Sequence, residues 1–95
     1  MKNIPIPEHL IEQAIESMSN EFDSHDVIKE FAQKNQRIYA EALVAVEGDR
    51  LFHKLHSDIG RQIAAICEHL GYTRIQSRSD DIFGQKSRCL GWFKS

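Results

Sequence analysis

The residues of this chain with the most chemical potential are its histidines, its two cysteines and a pair of adjacent aspartates, and spacing limits what each can do. His53 and His56 stand three apart in a helical stretch, a separation that lets two imidazoles share a metal. A zinc ion normally takes three or four protein ligands. The next soft donor, Cys67, lies about 16 Å further along the same helix axis at 1.5 Å per residue, so a straight helix cannot supply it. His56 borders an apolar stripe and reads as a packed core histidine. His69 points away from Cys67, and His25, beside two aspartates, reads as part of a helix cap. Asp80 and Asp81 fall in a polar loop, and an exposed loop offers neither the pocket nor the perturbed pKa that a general acid–base pair needs. No nucleophile elbow, phosphate-binding glycine loop, dinucleotide fingerprint or HExxH string occurs. The expectation is a non-enzymatic protein with no catalytic residues, no metal and no cofactor.

The basic residues form a second pattern. Lys54, Ser57 and Arg61 fall on one outward stripe of the longest helical stretch, and Arg74, Arg78, Lys86 and Arg88 lie in the segment after it. Together they make a candidate phosphate-contacting surface. Residues 1–50 hold five Lys/Arg against ten Asp/Glu, and residues 51–95 hold seven against four, so the second half is mildly basic although the whole chain carries −2. Trp92 and Phe93 either close the core beneath a hairpin or stack on a partner.

These residues need elements to position them. Ninety-five residues suit a single domain with one modest core. No apolar run approaches the roughly 18 residues of a membrane span, and the first residues lack the apolar run of a secretion signal, so a cytoplasmic protein with no membrane partner is expected. In that compartment Cys67 and Cys89 are expected as reduced thiols, with a helix-to-hairpin disulfide the alternative.

Residues 1–6 read as a flexible lead-in and 7–48 as a helical half. Both prolines lie at positions 5 and 7 and no glycine precedes Gly48. Leu10, Ile11, Ala14, Ile15, Met18 and Phe22 share one face of a first helix that begins at Pro7. Asp23 or Ser24 caps a second helix with Val27, Ile28, Phe31 and Ala32 inward. It ends near Asn35, through a left-handed cap or as a bend into a third helix carrying Ile38, Tyr39, Ala42, Leu43 and Val46. The fourth helix, 51–70, has the cleanest stripe: Phe52, Leu55, Ile59, Ile63, Ile66 and Leu70. Gly60 lies within it, costing about 1 kcal/mol against alanine, which a close approach from another helix would explain. After Gly71 the period changes, and 72–94 reads as a hairpin of strands 72–78 and 87–94 around a loop. The expected core joins Leu10, Phe31, Leu43, Phe52, Leu55, Ile59, Ile63 and Ile66. The fold class is mainly α, three to four helices followed by a C-terminal two-stranded antiparallel wing.

From Ile59, Ile63, Leu70 and Gly71 through the hairpin, about half the chain resembles the winged-helix superfamily. The resemblance implies that the helix before the wing enters the major groove of DNA while wing residues touch its backbone. DNA is then the expected partner. The alternative is a protein-interaction or inhibitor module, in which the acidic half meets a basic protein or an apolar patch around Trp92 is exposed.

Overall fold

The computed structural model describes residues 6–94. Four helices, α1 (Glu8–Glu16), α2 (Ser24–Lys34), α3 (Gln36–Ala45) and α4 (Leu51–His69), pack beside a small antiparallel sheet of β1 (Glu21–Asp23), β2 (Thr73–Asp80) and β3 (Lys86–Phe93). The molecule is mainly α with a small sheet. No helix among the described residues is long and apolar enough to cross a membrane.

The sheet has three strands rather than the two expected, in the order β1-β3-β2. β1 lies antiparallel on the outer edge of β3, with Phe22 opposite Trp92 and Asp23 opposite Gly91. This changes the reading of the first helix. It stops at Glu16, where the Ser17 hydroxyl donates to the Ala14 carbonyl at 2.7 Å. Phe22 therefore reaches the core from a strand, not from a helix face. Ile6, the last residue of the expected flexible lead-in, is buried; the other five lie outside the described residues.

Asp23 caps α2. Its carboxylate accepts from the Asp26 N–H at 3.0 Å, and the Asp26 carboxylate accepts from the Asp23 N–H at 3.1 Å, a reciprocal capping box. Asn35 separates α2 from α3, so the two helices do not merge. Its φ of −132° is not left-handed; instead its N–H and side-chain amide both donate to the Phe31 carbonyl, at 2.9 and 3.2 Å. α4 runs unbroken through Gly60. It ends where Gly71, at φ +78°, lets the Gly71 N–H reach the Glu68 carbonyl and the Tyr72 N–H reach the Cys67 carbonyl, at 3.1 and 3.0 Å. That paired closure needs a left-handed residue, which is why a glycine stands at the turn into β2.

Thr73 lies opposite Phe93 and Asp80 opposite Lys86, so the loop of the hairpin is shorter than the sequence suggested and Asp80 belongs to β2 rather than to the loop. The hairpin tip is built on Asp81, whose carboxylate accepts the Phe83 and Gln85 N–H groups at 2.9 and 3.0 Å, so this aspartate shapes the loop.

Trp92, Phe31, Ile11, Ile15, Val27, Leu55, Ile59, Ile63 and Cys67 are fully buried. Ile66 joins them, while Leu10 and Leu43 pack at the edge, half-buried. Phe52, in the first turn of α4, does not belong to the core: it is 39% exposed. The indole N–H of Trp92 has no acceptor among the described residues. An unmet buried donor costs about 1–3 kcal/mol, less than the roughly 5 kcal/mol gained by burying about 200 Å² of ring. Trp92 is thus a core residue, although its neighbour Phe93 is 40% exposed. Cys67 and Cys89 are both free thiols.

Ile63 is enclosed on all sides, so Ile63→Ala is expected to destabilise the fold by about 2–5 kcal/mol, against less than about 1 kcal/mol for the exposed Phe52→Ala. Urea denaturation of the two variants checks this; equal midpoints would refute the assignment of the core.

Candidate functional site

β1 stops at Asp23, opposite Gly91, so β3 has no strand beside it from Leu90 outward on that edge. The chain turns there into α2, and the Ser24 hydroxyl donates to the Leu90 carbonyl at 3.2 Å. A groove of about 760 Å³ opens along this bare edge, walled by α4 on one side and by the hairpin and its loop on the other, with the start of α2 at its floor. Gly60 and Ala64 of α4 line it. A Cβ added at Gly60 would meet nothing within 4 Å. The glycine therefore faces open space, not the close helix approach expected for it. At the mouth, Phe52 packs edge-to-face on Phe83 of the loop, centroids 4.9 Å apart, and both rings stay exposed.

The structure gathers some of the expected basic residues and disperses others. Ser57, Arg61 and Arg88 line the groove. Arg78 stands directly opposite Arg88 across the hairpin. By the alternation of strand side chains, both project from the sheet face that carries Leu90 and Trp92. Arg61 is paired with Asp58 one turn earlier. Lys86 faces Asp80 near the tip. Lys54 turns away: its ammonium donates to the Glu47 carbonyl at 2.7 Å and secures the α3–α4 connection. Arg74 pairs with Glu68 at the far end of α4, its guanidinium 5.5 Å from the centre of the Trp92 ring. Arg78, Lys86 and Arg88 have no ion pair among the described residues.

His53 and His56 also line the groove, so His56 belongs to its wall rather than to the middle of the core. The Tyr39 hydroxyl lies 2.6 Å from His56 Nε2. With the ring proton on Nδ1, Tyr39 donates and His56 accepts. Burial holds the His56 pKa below its ordinary 6.5, and the nearby His25 and His53 add to this while Asp81 opposes it. Burial likewise pushes the Tyr39 hydroxyl up to about 12, so it remains a donor.

Sequence reasoning missed a polar cluster beside the groove floor. The Ser77 hydroxyl donates to the Asp23 carboxylate at 2.8 Å. His25 Nδ1 lies 3.2 Å from the Ser79 carbonyl and 3.1 Å from its hydroxyl. The Ser79 hydroxyl lies 4.0 Å from Cys89 Sγ. Burial would raise the Asp23 pKa, but hydrogen bonds from Ser79, Asp26 and Ser77, with the charge of His25, bring it below the ordinary carboxylate value. Burial pushes the Cys89 thiol up, only partly countered by the His25 backbone N–H. The one available signal was Ser77 and Ser79, two small polar residues on alternate positions of a strand whose neighbours are arginines.

No protein-family model matches the chain, and no curated protein or solved structure matches it significantly.

The histidine gives a pH dependence with a definite sign. The unfolded imidazole takes up a proton near pH 6.5 and the folded one only at lower pH. Stability is therefore full above pH 6.5 and falls as pH drops from there toward the folded pKa. The depressed aspartates act only below their ordinary 3.8, outside this window. Melting temperatures between pH 7.5 and 5 should fall for the wild type and fall less for His56→Gln; parallel curves would show that His56 is not the group responsible.

Proposed function

We propose that this chain is a small non-enzymatic, winged-helix-like domain that binds nucleic acid, presenting α4 and the β2–β3 wing to the phosphate backbone. The observation that carries the reading is the Arg78–Arg88 pair. Two like charges directly opposite on adjacent strands destabilise a hairpin. They stand where no carboxylate is paired with either, beside a groove that adds Ser57 and Arg61. A phosphate placed between them would relieve the repulsion and collect charge-assisted hydrogen bonds from two planar guanidinium groups. The wing follows α4 after one tight glycine turn, which sets the two elements side by side. The first half carries five net negative charges, which weaken non-specific attraction. On this reading the contacts are few, and Lys54 and Arg74 serve the fold.

The second reading, a protein-interaction module, has its own observation. Phe83, 61% exposed, and Phe52 form an aromatic pair at the mouth of the groove, a common kind of anchor in a protein interface.

Titration of labelled duplex DNA at a series of salt concentrations separates the two. Phosphate contacts make affinity fall steeply with salt, with a slope of about 0.9 per contact in the log–log plot. Arg78→Ala with Arg88→Ala should flatten that slope by about 1.8 while leaving melting temperature unchanged or higher. Absence of binding by the wild type at low salt refutes the nucleic-acid reading and leaves the aromatic pair as the surface to mutate.

A further inference from the structure

We propose that Asp23, His25 and Cys89 form a binding site for a divalent transition metal of the zinc class, with its fourth position open toward the groove. One carboxylate oxygen of Asp23, one ring nitrogen of His25 and Cys89 Sγ all lie within 4.8 Å of one another. A tetrahedral ion with metal–sulfur bonds near 2.3 Å and metal–nitrogen or –oxygen bonds near 2.0–2.1 Å needs its donors about 3.3–3.8 Å apart. The separations must therefore contract by no more than about 1.5 Å. The inference is independent of nucleic-acid binding.

The surroundings suit a metal better than a hydrogen-bonded cluster alone. A ligating histidine usually donates its other ring N–H to a carbonyl, which fixes the tautomer. Whichever ring nitrogen of His25 ligates, the other has an acceptor in reach: the Ser79 carbonyl at 3.2 Å from Nδ1 or the Ser87 hydroxyl at 3.4 Å from Nε2. The Asp23 carboxylate already accepts from Asp26 and Ser77, which orients it, and an ionised carboxylate has about four acceptor positions, so capacity remains. A thiolate donor selects zinc-type ions over magnesium and calcium. On binding, Cys89 releases its thiol proton to solvent and forms a metal–sulfur bond. One thiolate and one carboxylate then neutralise the two positive charges, with His25 neutral, so the half-buried site goes from one negative charge without the metal to none with it. No electron is transferred. His25 and Cys89 line the groove and Asp23 does not, so the open position, filled by water, looks into the groove.

Cobalt(II) tests this, because tetrahedral cobalt bound to a thiolate has visible d–d bands and a near-ultraviolet sulfur-to-metal charge-transfer band. Chelator-stripped protein titrated with Co²⁺ should develop both bands at one ion per chain and lose the cobalt spectrum when Zn²⁺ is added. Cys67→Ala should keep the charge-transfer band, and Cys89→Ser should lose it. Asp23→Asn, which retains a capping oxygen, and His25→Ala should each weaken binding at least tenfold. No charge-transfer band in the wild type, its persistence in Cys89→Ser, or unchanged affinity in His25→Ala would overturn the site. Should Cys89→Ser fail to fold, the Cys67→Ala protein still decides, since Cys89 is then the only thiol.

Discussion

The Asp23 carboxylate is almost completely buried, and the arrangement of every neighbouring element follows from how it is satisfied. A buried ion without partners costs several kcal/mol. Here one side of the carboxylate takes the Asp26 N–H and starts α2, and the other takes the Ser77 hydroxyl and holds β2. The same residue ends β1 opposite Gly91 of β3. One charged group thus fixes a strand end, a helix start and the far strand of the hairpin relative to one another. Gly91 makes this possible. A Cβ there would sit 2.9 Å from the Ile75 side chain and 3.2 Å from the Phe22 carbonyl. The isoleucine tip could shift, but the carbonyl belongs to the backbone of the adjoining strand and has little freedom to yield.

The groove is a consequence of that junction. Had β1 continued as a strand, it would have covered the edge of β3 along Lys86–Leu90. The capping box turns the chain into a helix instead, and the helix start serves as floor where a strand would have been a cover. α4 supplies the opposite wall, and its small residues Gly60 and Ala64 keep the space open. The roughly 1 kcal/mol that a mid-helix glycine costs is therefore offset by no packing gain, and its effect is to leave the cleft unfilled. The Phe52–Phe83 contact then joins the hairpin loop to the first turn of α4 at the mouth.

What the sequence disclosed follows the strength of each physical signal. The stripe of Leu55, Ile59, Ile63 and Ile66 repeats over about three turns and can mean only a buried helix face. The turn at Gly71 was legible because periodicity changes there. β1 was not, since Glu21-Phe22-Asp23 is too short for any alternation to register, and Phe22 falls by coincidence at a helical interval from Met18. Phe52 fits the stripe but meets the exposed Phe83 of the loop instead of the core, and only the tertiary fold decides that. Of the basic residues, charge and position alone could not separate Arg78 and Arg88, which are left facing each other, from Lys54 and Arg74, which the fold employs. The polar cluster was least legible of all: its members come from residues 23–25, 77–79 and 87–89, and long-range register is what unites them.

The register of β3 keeps two chemistries apart. Even-numbered residues Arg88, Leu90 and Trp92 share the face that carries the core and, beyond its edge, positive charge. Odd-numbered Ser87, Cys89 and Gly91 share the opposite face, with Ser77 and Ser79 across the hairpin and Asp23 alongside. A slip of one residue would exchange every side chain between faces. It would place Trp92 against the carboxylate and Arg88 among the small hydroxyl groups, so both assignments would fail together. The Asp81 hydrogen bonds at the hairpin tip resist such a slip, and so does the other end of the strand, where a fully buried tryptophan opposite Phe22 and a glycine wedged against Ile75 admit only one pairing. Core packing at Trp92 thereby helps to determine which groups stand in the groove two to five residues away.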